Sequence, residues 1–239
     1  MTGKRTYGDR CGVARALDVV GERWALLVVR ELLLGPKRFT DLRAGLPHVS
    51  SDVLTQRLRE LGEAGVVAHR RLDPPGATQV YELTERGQGL EPVVLALGRW
   101  GSTAPVADAQ AAIGPDALAV ALKTQFDPAR AGALDASFEL RLAGQPFRAR
   151  VAGGAFAIAR GRAELPDAIV EADPGALAQV IWHGRDLGAA VRAGEVAVSG
   201  REPRVRRFLT LFPLPPDPGT LKAWPATPST MPPSPTRSS

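Results

Sequence analysis

The chain has 239 residues, enough for two modest domains and a tail, and its 44% hydrophobic and 23% charged content suits a water-soluble globular protein. No apolar run approaches the ~18 residues needed to span a bilayer, the first ten residues lack the hydrophobic segment of a signal peptide, and one cysteine excludes an intramolecular disulfide framework. A cytoplasmic protein is expected, without membrane partner, cofactor or metal, and a net charge of +5 with a pI near 10.0 permits an anionic partner.

Residues 1–10 read as a flexible start. Cys11 to Val20 follows as a helix with Val13, Ala14, Leu17 and Val20 on one side, broken at Gly21. Trp24 to Leu34 is apolar nearly all round and stops at Gly35-Pro36, as a buried helix of a small core does. After Lys37-Arg38-Phe39, Thr40 is a candidate N-cap for a short helix, Asp41 to Leu46. Pro47-His48-Val49 turns the chain, and Ser50 or Ser51 caps a helix in which Leu54, Leu58 and Leu61 fall on one buried face. Asp52 suits the positive N-terminal end of that helix. Past Gly65, Val66–Leu72 and Gln79–Leu83 read as two strands around the turn Asp73-Pro74-Pro75-Gly76. Thr84 caps a helix from Glu85 to Trp100, with Leu90, Val93, Val94, Leu97 and Trp100 along one side and a kink expected at Pro92.

Two short helices joined by a tight turn, the second polar outside and followed by a hairpin, form a winged helix-turn-helix. The outer face of the second helix carries Ser50, Ser51, Asp52, Thr55, Gln56 and Arg59, side chains able to meet base edges or phosphate. A solvated face without base contacts is the plain alternative. Arg70 and Arg71 point to opposite sides of a strand, so one of them is expected to reach phosphate. Lys37, Arg38 and Arg43 flank the first helix of the motif and either touch the DNA backbone or keep the surface soluble.

The runs Cys11–Leu17, Gly21-Glu22-Arg23-Trp24, Arg30-Glu31-Leu32, Arg38–Leu42, Leu54–Leu61 and Tyr81–Gly87 together resemble the HxlR-type transcriptional regulators, in the same order, over residues 10–101. The resemblance implies a bacterial DNA-binding regulator that dimerises through the first helix and the 85–100 helix. Two recognition helices ~34 Å apart would then read an inverted-repeat operator in double-stranded DNA. Regulators resembling this family also sense oxidants through a cysteine near the first helix, which makes Cys11 a redox candidate; a small residue tucked at the dimer surface is the alternative.

Behind Gly101–Pro105, Ala117 to Phe126 reads as a helix, and the period then changes to two. Ser137–Leu142, Phe147–Val151, Phe156–Arg160, Ala168–Ala172 and Val196–Val198 are five strands, with helices at Pro174–Trp182, Asp186–Arg192 and Pro203–Phe212. The expected class is α+β multidomain: a winged helix-turn-helix (11–101), a linker (102–111), an antiparallel or mixed five-stranded sheet with helices on one face (112–212) and a disordered tail (213–239). Ala172-Asp173-Pro174, Gly184–Leu187 and Gly194–Gly200 resemble the sterol carrier protein type of lipid-binding domain. That resemblance implies an apolar pocket with Phe138, Leu140, Phe156, Ile158, Leu177, Ile181, Trp182 and Leu187 as lining candidates, each of which could equally be core.

The expected function is a sequence-specific, homodimeric transcriptional repressor whose operator affinity responds to a small apolar ligand in the C-terminal domain. A thiol-based sensor through Cys11, or a lipid carrier that uses the winged helix only to dimerise, are the alternatives. An enzyme finds little support: His48, His69 and His183 have no ligand spacing, no nucleophile elbow occurs, and Gly87-Gln88-Gly89 lacks a third glycine, with Pro92 in its place.

Overall fold

A computed structural model describes residues 6–71, 78–104 and 112–214. In the N-terminal half, α1 (Gly12–Val20), α2 (Ala25–Leu32), α3 (Phe39–Gly45) and α4 (Ser51–Glu63) lead into the hairpin β1 (Val67–Arg71) and β2 (Gln79–Leu83). The antiparallel pairing sets His69 opposite Tyr81, and their rings stack 4.6 Å apart. Lys37 and Tyr81 exchange two backbone hydrogen bonds (2.9 and 2.8 Å), so the segment before α3 adds a one-residue third strand to the wing. The wing tip, including the expected Asp73–Gly76 turn, lies outside the described residues.

Local chemistry explains the helix ends. The Ser50 hydroxyl accepts from the Val53 N–H at the start of α4. At its other end Gly65 takes φ +68°, which lets the Gly65 and Val66 N–H groups close back onto the Gly62 and Leu61 carbonyls and aims the chain into β1. The short helix α3 starts at Phe39 with Arg38 as N-cap, two residues earlier than the Thr40 cap expected. Trp24 also stands outside α2, at φ +79°. The single kinked helix expected over 85–100 is two helices, α5 (Glu85–Gln88) and α6 (Glu91–Gly101). Pro92 sits in the first turn of α6, where its missing N–H costs nothing, so it starts a helix instead of bending one.

In the C-terminal half, α7 (Pro115–Gln125) and α8 (Pro128–Ala131) precede β3 (Ala136–Leu142), β4 (Gln145–Ala152), β5 (Ala155–Arg160) and β6 (Ala168–Ala172). Helices α9 (Pro174–Trp182) and α10 (Leu187–Arg192), strand β7 (Val196–Gly200) and helix α11 (Glu202–Leu209) follow. The mixed five-stranded sheet runs β5-β4-β3-β6-β7, with β3 and β6 parallel and the other neighbours antiparallel. Phe138, Leu140 and Leu142 on β3 are buried, and Phe138 meets the ring of Phe208 on α11 at 4.4 Å. On β4, Phe147, Ala149 and Val151 are buried while Arg148 and Arg150 are exposed, the alternation of a sheet with one packed face.

The two halves share one continuous apolar core. Helix α7 is the piece between them: it packs on α2, α3 and α6 on one side and on β5 and α9 on the other. Leu118, Ala119, Val120 and Leu122 are buried, and so are Asp116, Thr124 and Gln125; Asp116 and Gln125 find partners in the opposite half, Lys37 and Ser102. Among the described residues no helix is long and apolar enough to cross a membrane.

Candidate nucleic-acid interface

Helix α4 is amphipathic because Leu54, Leu58 and Leu61 fall on one stripe, and all three are buried. That stripe packs toward α2 and fixes which residues face outward. Asp52, Thr55 and Arg59 are exposed, and Ser51 and Gln56 are half-buried at the edge of the same face. Several of these side chains are already held in place. The Thr55 hydroxyl donates to the Ser51 carbonyl at 2.8 Å; the Gln56 amide donates to Glu60 and accepts from the Arg59 guanidinium at 2.8 Å. A pre-ordered donor and acceptor row loses less side-chain entropy on meeting a base edge than a free one. Ser50 is exposed and spends its hydroxyl on the helix cap.

Around this face the wing and α3 bring positive charge. Arg38, Arg43, Arg70 and Arg71 are all exposed. Arg70 pairs with Glu82 across the hairpin (2.8 Å), which braces the wing and anchors its guanidinium at the strand edge. Lys37 does not belong to this surface. It is 5% exposed, and its ammonium is held by Glu31 and by Asp116 (2.7 Å), so no group is left to reach a phosphate. The sequence placed it with Arg38 because the two are adjacent. The short third strand of the wing turns them to opposite sides.

Glu31 and Asp116 escaped the sequence reading. Each is a charged residue within an apolar helix, and that interruption was the available signal. Asp116 is also bound by Arg160 from β5, and Glu31 by Arg30 at 2.8 Å. The ionic run Arg30, Glu31, Lys37, Asp116, Arg160, buried at its centre, thus alternates in sign and bolts α2, the wing root, α7 and β5 together. A side chain at Gly45 would strike the Glu31 carboxylate, so the end of α3 sits tightly against this cluster. Arg57 is a further residue the sequence passed over: it pairs with Glu60 (2.5 Å) and lies 3.8 Å from Glu22, tying α4 to the α1–α2 turn.

Cys11 is exposed at the N-cap of α1. The backbone N–H groups of Val13 and Ala14 hold its thiol pKa below the ordinary value. Of the expected pocket residues, Phe138, Leu140 and Leu177 have no exposed surface, Leu187 and Ile158 are almost fully buried, and Phe156, Ile181 and Trp182 are half-buried against the core. Phe156 joins an aromatic cluster with Phe126, Phe208 and Phe212, and the Trp182 indole donates to the Phe212 carbonyl at 2.8 Å. Ile181 and Leu187 line a cleft of about 430 Å³ between α9, α10 and α11, alongside Arg130, Arg185 and Arg206.

A helix with an outward polar face, a preceding short helix and a basic hairpin place the N-terminal half among winged helix-turn-helix DNA-binding proteins. Residues 19–107 match the HxlR-like helix-turn-helix family. The HTH-type transcriptional regulator YvaP of Bacillus subtilis is 35% identical over 88 residues, which cover 37% of this chain and 82% of that protein. YdeP of the same organism is 39% identical over 94 residues, covering 39% and 73%. Among solved structures, the redox regulator HypR in its oxidized form is 35% identical, covers 40% of this chain and 99% of that one, and superposes with a TM-score of 0.37. The chain belongs to the HxlR-like helix-turn-helix family, and it is a transcriptional regulator. Residues 108–239 lie beyond the family match.

Proposed function

We propose that this regulator works as a homodimer on an inverted-repeat operator, with α4 in the major groove, the wing on the flanking backbone, and repression as its output. The observation that carries the reading is the outward row Ser51, Asp52, Thr55, Gln56 and Arg59, set on a buried leucine stripe and flanked by Arg38, Arg43, Arg70 and Arg71. Homodimerisation is supported by an apolar face left uncovered among the described residues: Val13 and Leu17 on α1 and Val93, Leu97 and Trp100 on α6 are 41–75% exposed. Residues 11–101 form the DNA-binding and dimerisation part in this reading, and 112–212 the part that receives a signal. The strand and helix order of that second part supports the sterol-carrier resemblance, and the cleft at Ile181 and Leu187 offers a place for a small apolar ligand. Ligand identity does not follow from the fold.

The test is to sequence the genomic fragments that the purified full chain retains and to titrate the best of them by gel shift. Enrichment of a palindromic site is expected, with log K falling by ~0.9 per neutralised phosphate as log salt rises. Retention of bulk DNA without preference would refute operator recognition. A second reading rests on Cys11, whose exposed thiol and lowered pKa suit an oxidant sensor at the edge of the proposed dimer face.

A further inference from the structure

A second cleft, separate from the one between α9 and α11, opens where the two halves of the chain meet. It holds about 300 Å³, the lower end of the ~300–1,000 Å³ of small-molecule sites. Its walls are Leu26 and Leu27 of α2, Val94 and Leu97 of α6, and Val120 and Ala121 of α7. The polar groups on its rim are mostly spent. The Thr124 hydroxyl donates to the Val120 carbonyl, the Gln125 amide donates to the Ser102 hydroxyl, and that hydroxyl donates to the Arg99 carbonyl, each at 2.8 Å.

Arg30 is the exception. It is the one charged residue in the cleft's lining, its side chain is 23% exposed, and one of its terminal nitrogens is bound to Glu31. A guanidinium with part of its surface open to an otherwise apolar cleft favours an anionic group there. Charge points the same way. The ionic run Arg30, Glu31, Lys37, Asp116, Arg160, buried at its centre with the two arginines half-buried at its ends, holds three cations against two carboxylates. At its Arg160 end, the neighbouring polar cleft also contains Asp41. At its Arg30 end, no carboxylate lines the apolar cleft. Beyond Glu31, then, Arg30 meets no carboxylate among the described residues on the side of the apolar cleft.

We propose that the cleft between α2, α6 and α7 binds a compact apolar carboxylic acid, its ring or short chain against Leu26, Val94 and Val120 and its carboxylate on Arg30. Helix α2 forms one wall of the site and also carries the packing surface for α4, so an occupant would bear on the DNA-reading helix through one shared element. The site goes beyond the regulatory reading, and its wall residue Leu97 also borders the proposed dimer face.

Calorimetric titration of the full chain, without DNA, tests the site. Benzoate, 3-phenylpropionate and octanoate are compared with their uncharged amides, on the unmodified chain and on the variants Arg30→Gln and Ala121→Phe. At least one acid is expected to bind tenfold or more tightly than its amide. Arg30→Gln should abolish that preference while leaving the amide's affinity unchanged, and Ala121→Phe, which fills the cleft from α7, should abolish binding of both. Equal affinity for acid and amide, an acid preference that survives Arg30→Gln, unaltered binding to Ala121→Phe, or no binding of any of the three acids would each overturn the proposal. Omitting DNA keeps these outcomes separate from the operator titration. Loss of the dimer in Ala121→Phe, with no acid bound by the unmodified chain, would assign the cleft to the partner subunit instead.

Discussion

At the scale of single residues, the chemistry most open to a direct test is at Cys11. Its thiol stands clear of the fold, and the first amides of α1 favour the thiolate over the thiol. The sign follows: a folded-state pKa below that of the unfolded chain leaves more thiolate at any pH between the two. Alkylation by iodoacetamide, followed against pH, should therefore reach half its plateau rate at lower pH in the native protein than in the urea-unfolded protein. Coincident profiles would leave Cys11 an ordinary surface thiol. A Cys11→Ser chain that still releases its promoter on oxidation would remove the sensor reading even with a shifted profile.

Among elements, α1 and α6 show what a hydrophobic pattern can and cannot say. Their apolar stripes predict burial, yet within one chain only Val20 and Val94 are buried, while Val13, Leu17, Val93, Leu97 and Trp100 remain exposed. A pattern records that a face is to be covered, without recording by which chain. Replacing Val93 with Glu should shift the protein from dimer to monomer in analytical ultracentrifugation and weaken operator binding at least tenfold, since the two half-sites would then be bound independently. An unchanged sedimentation profile would send the dimer interface elsewhere. The recognition helix and the five strands were readable because a leucine stripe and a strict alternation of two are local signals. Where they failed, the cause was non-local. Lys37 looks like its neighbour Arg38 until a strand from the wing turns the two apart, and Glu31 looks like helix surface until Lys37 arrives from beyond the Gly35-Pro36 turn. The short α5–α6 break followed from treating Pro92 as an interior residue when it begins a helix.

Over the whole molecule, α7 and the ionic run decide whether the two halves move as one. Lys37 compensates two carboxylates that are each 3% or less exposed, and removing one partner of such a group typically costs about 3–5 kcal/mol. Lys37→Met should lower the unfolding free energy, measured by chemical denaturation, by about that much. The double variant Lys37→Met with Glu31→Met should lose less than the sum of the two single changes, because it removes a charge together with its partner. Strict additivity in chemical denaturation would mean that the cluster does not act as a unit.

The same cluster bears on how the chain is made. Glu31 and Lys37 both lie in a portion that leaves the ribosome earlier, and Asp116 and Arg160 both come later. Each portion thus brings a carboxylate together with a cation to match it. A chain folding from its N-terminus can bury Glu31 against Lys37 before the later residues exist, and can then receive Asp116 and Arg160 as a second matched pair. Joining the halves then adds a neutral pair to a portion in which Arg30 and Lys37 already share Glu31.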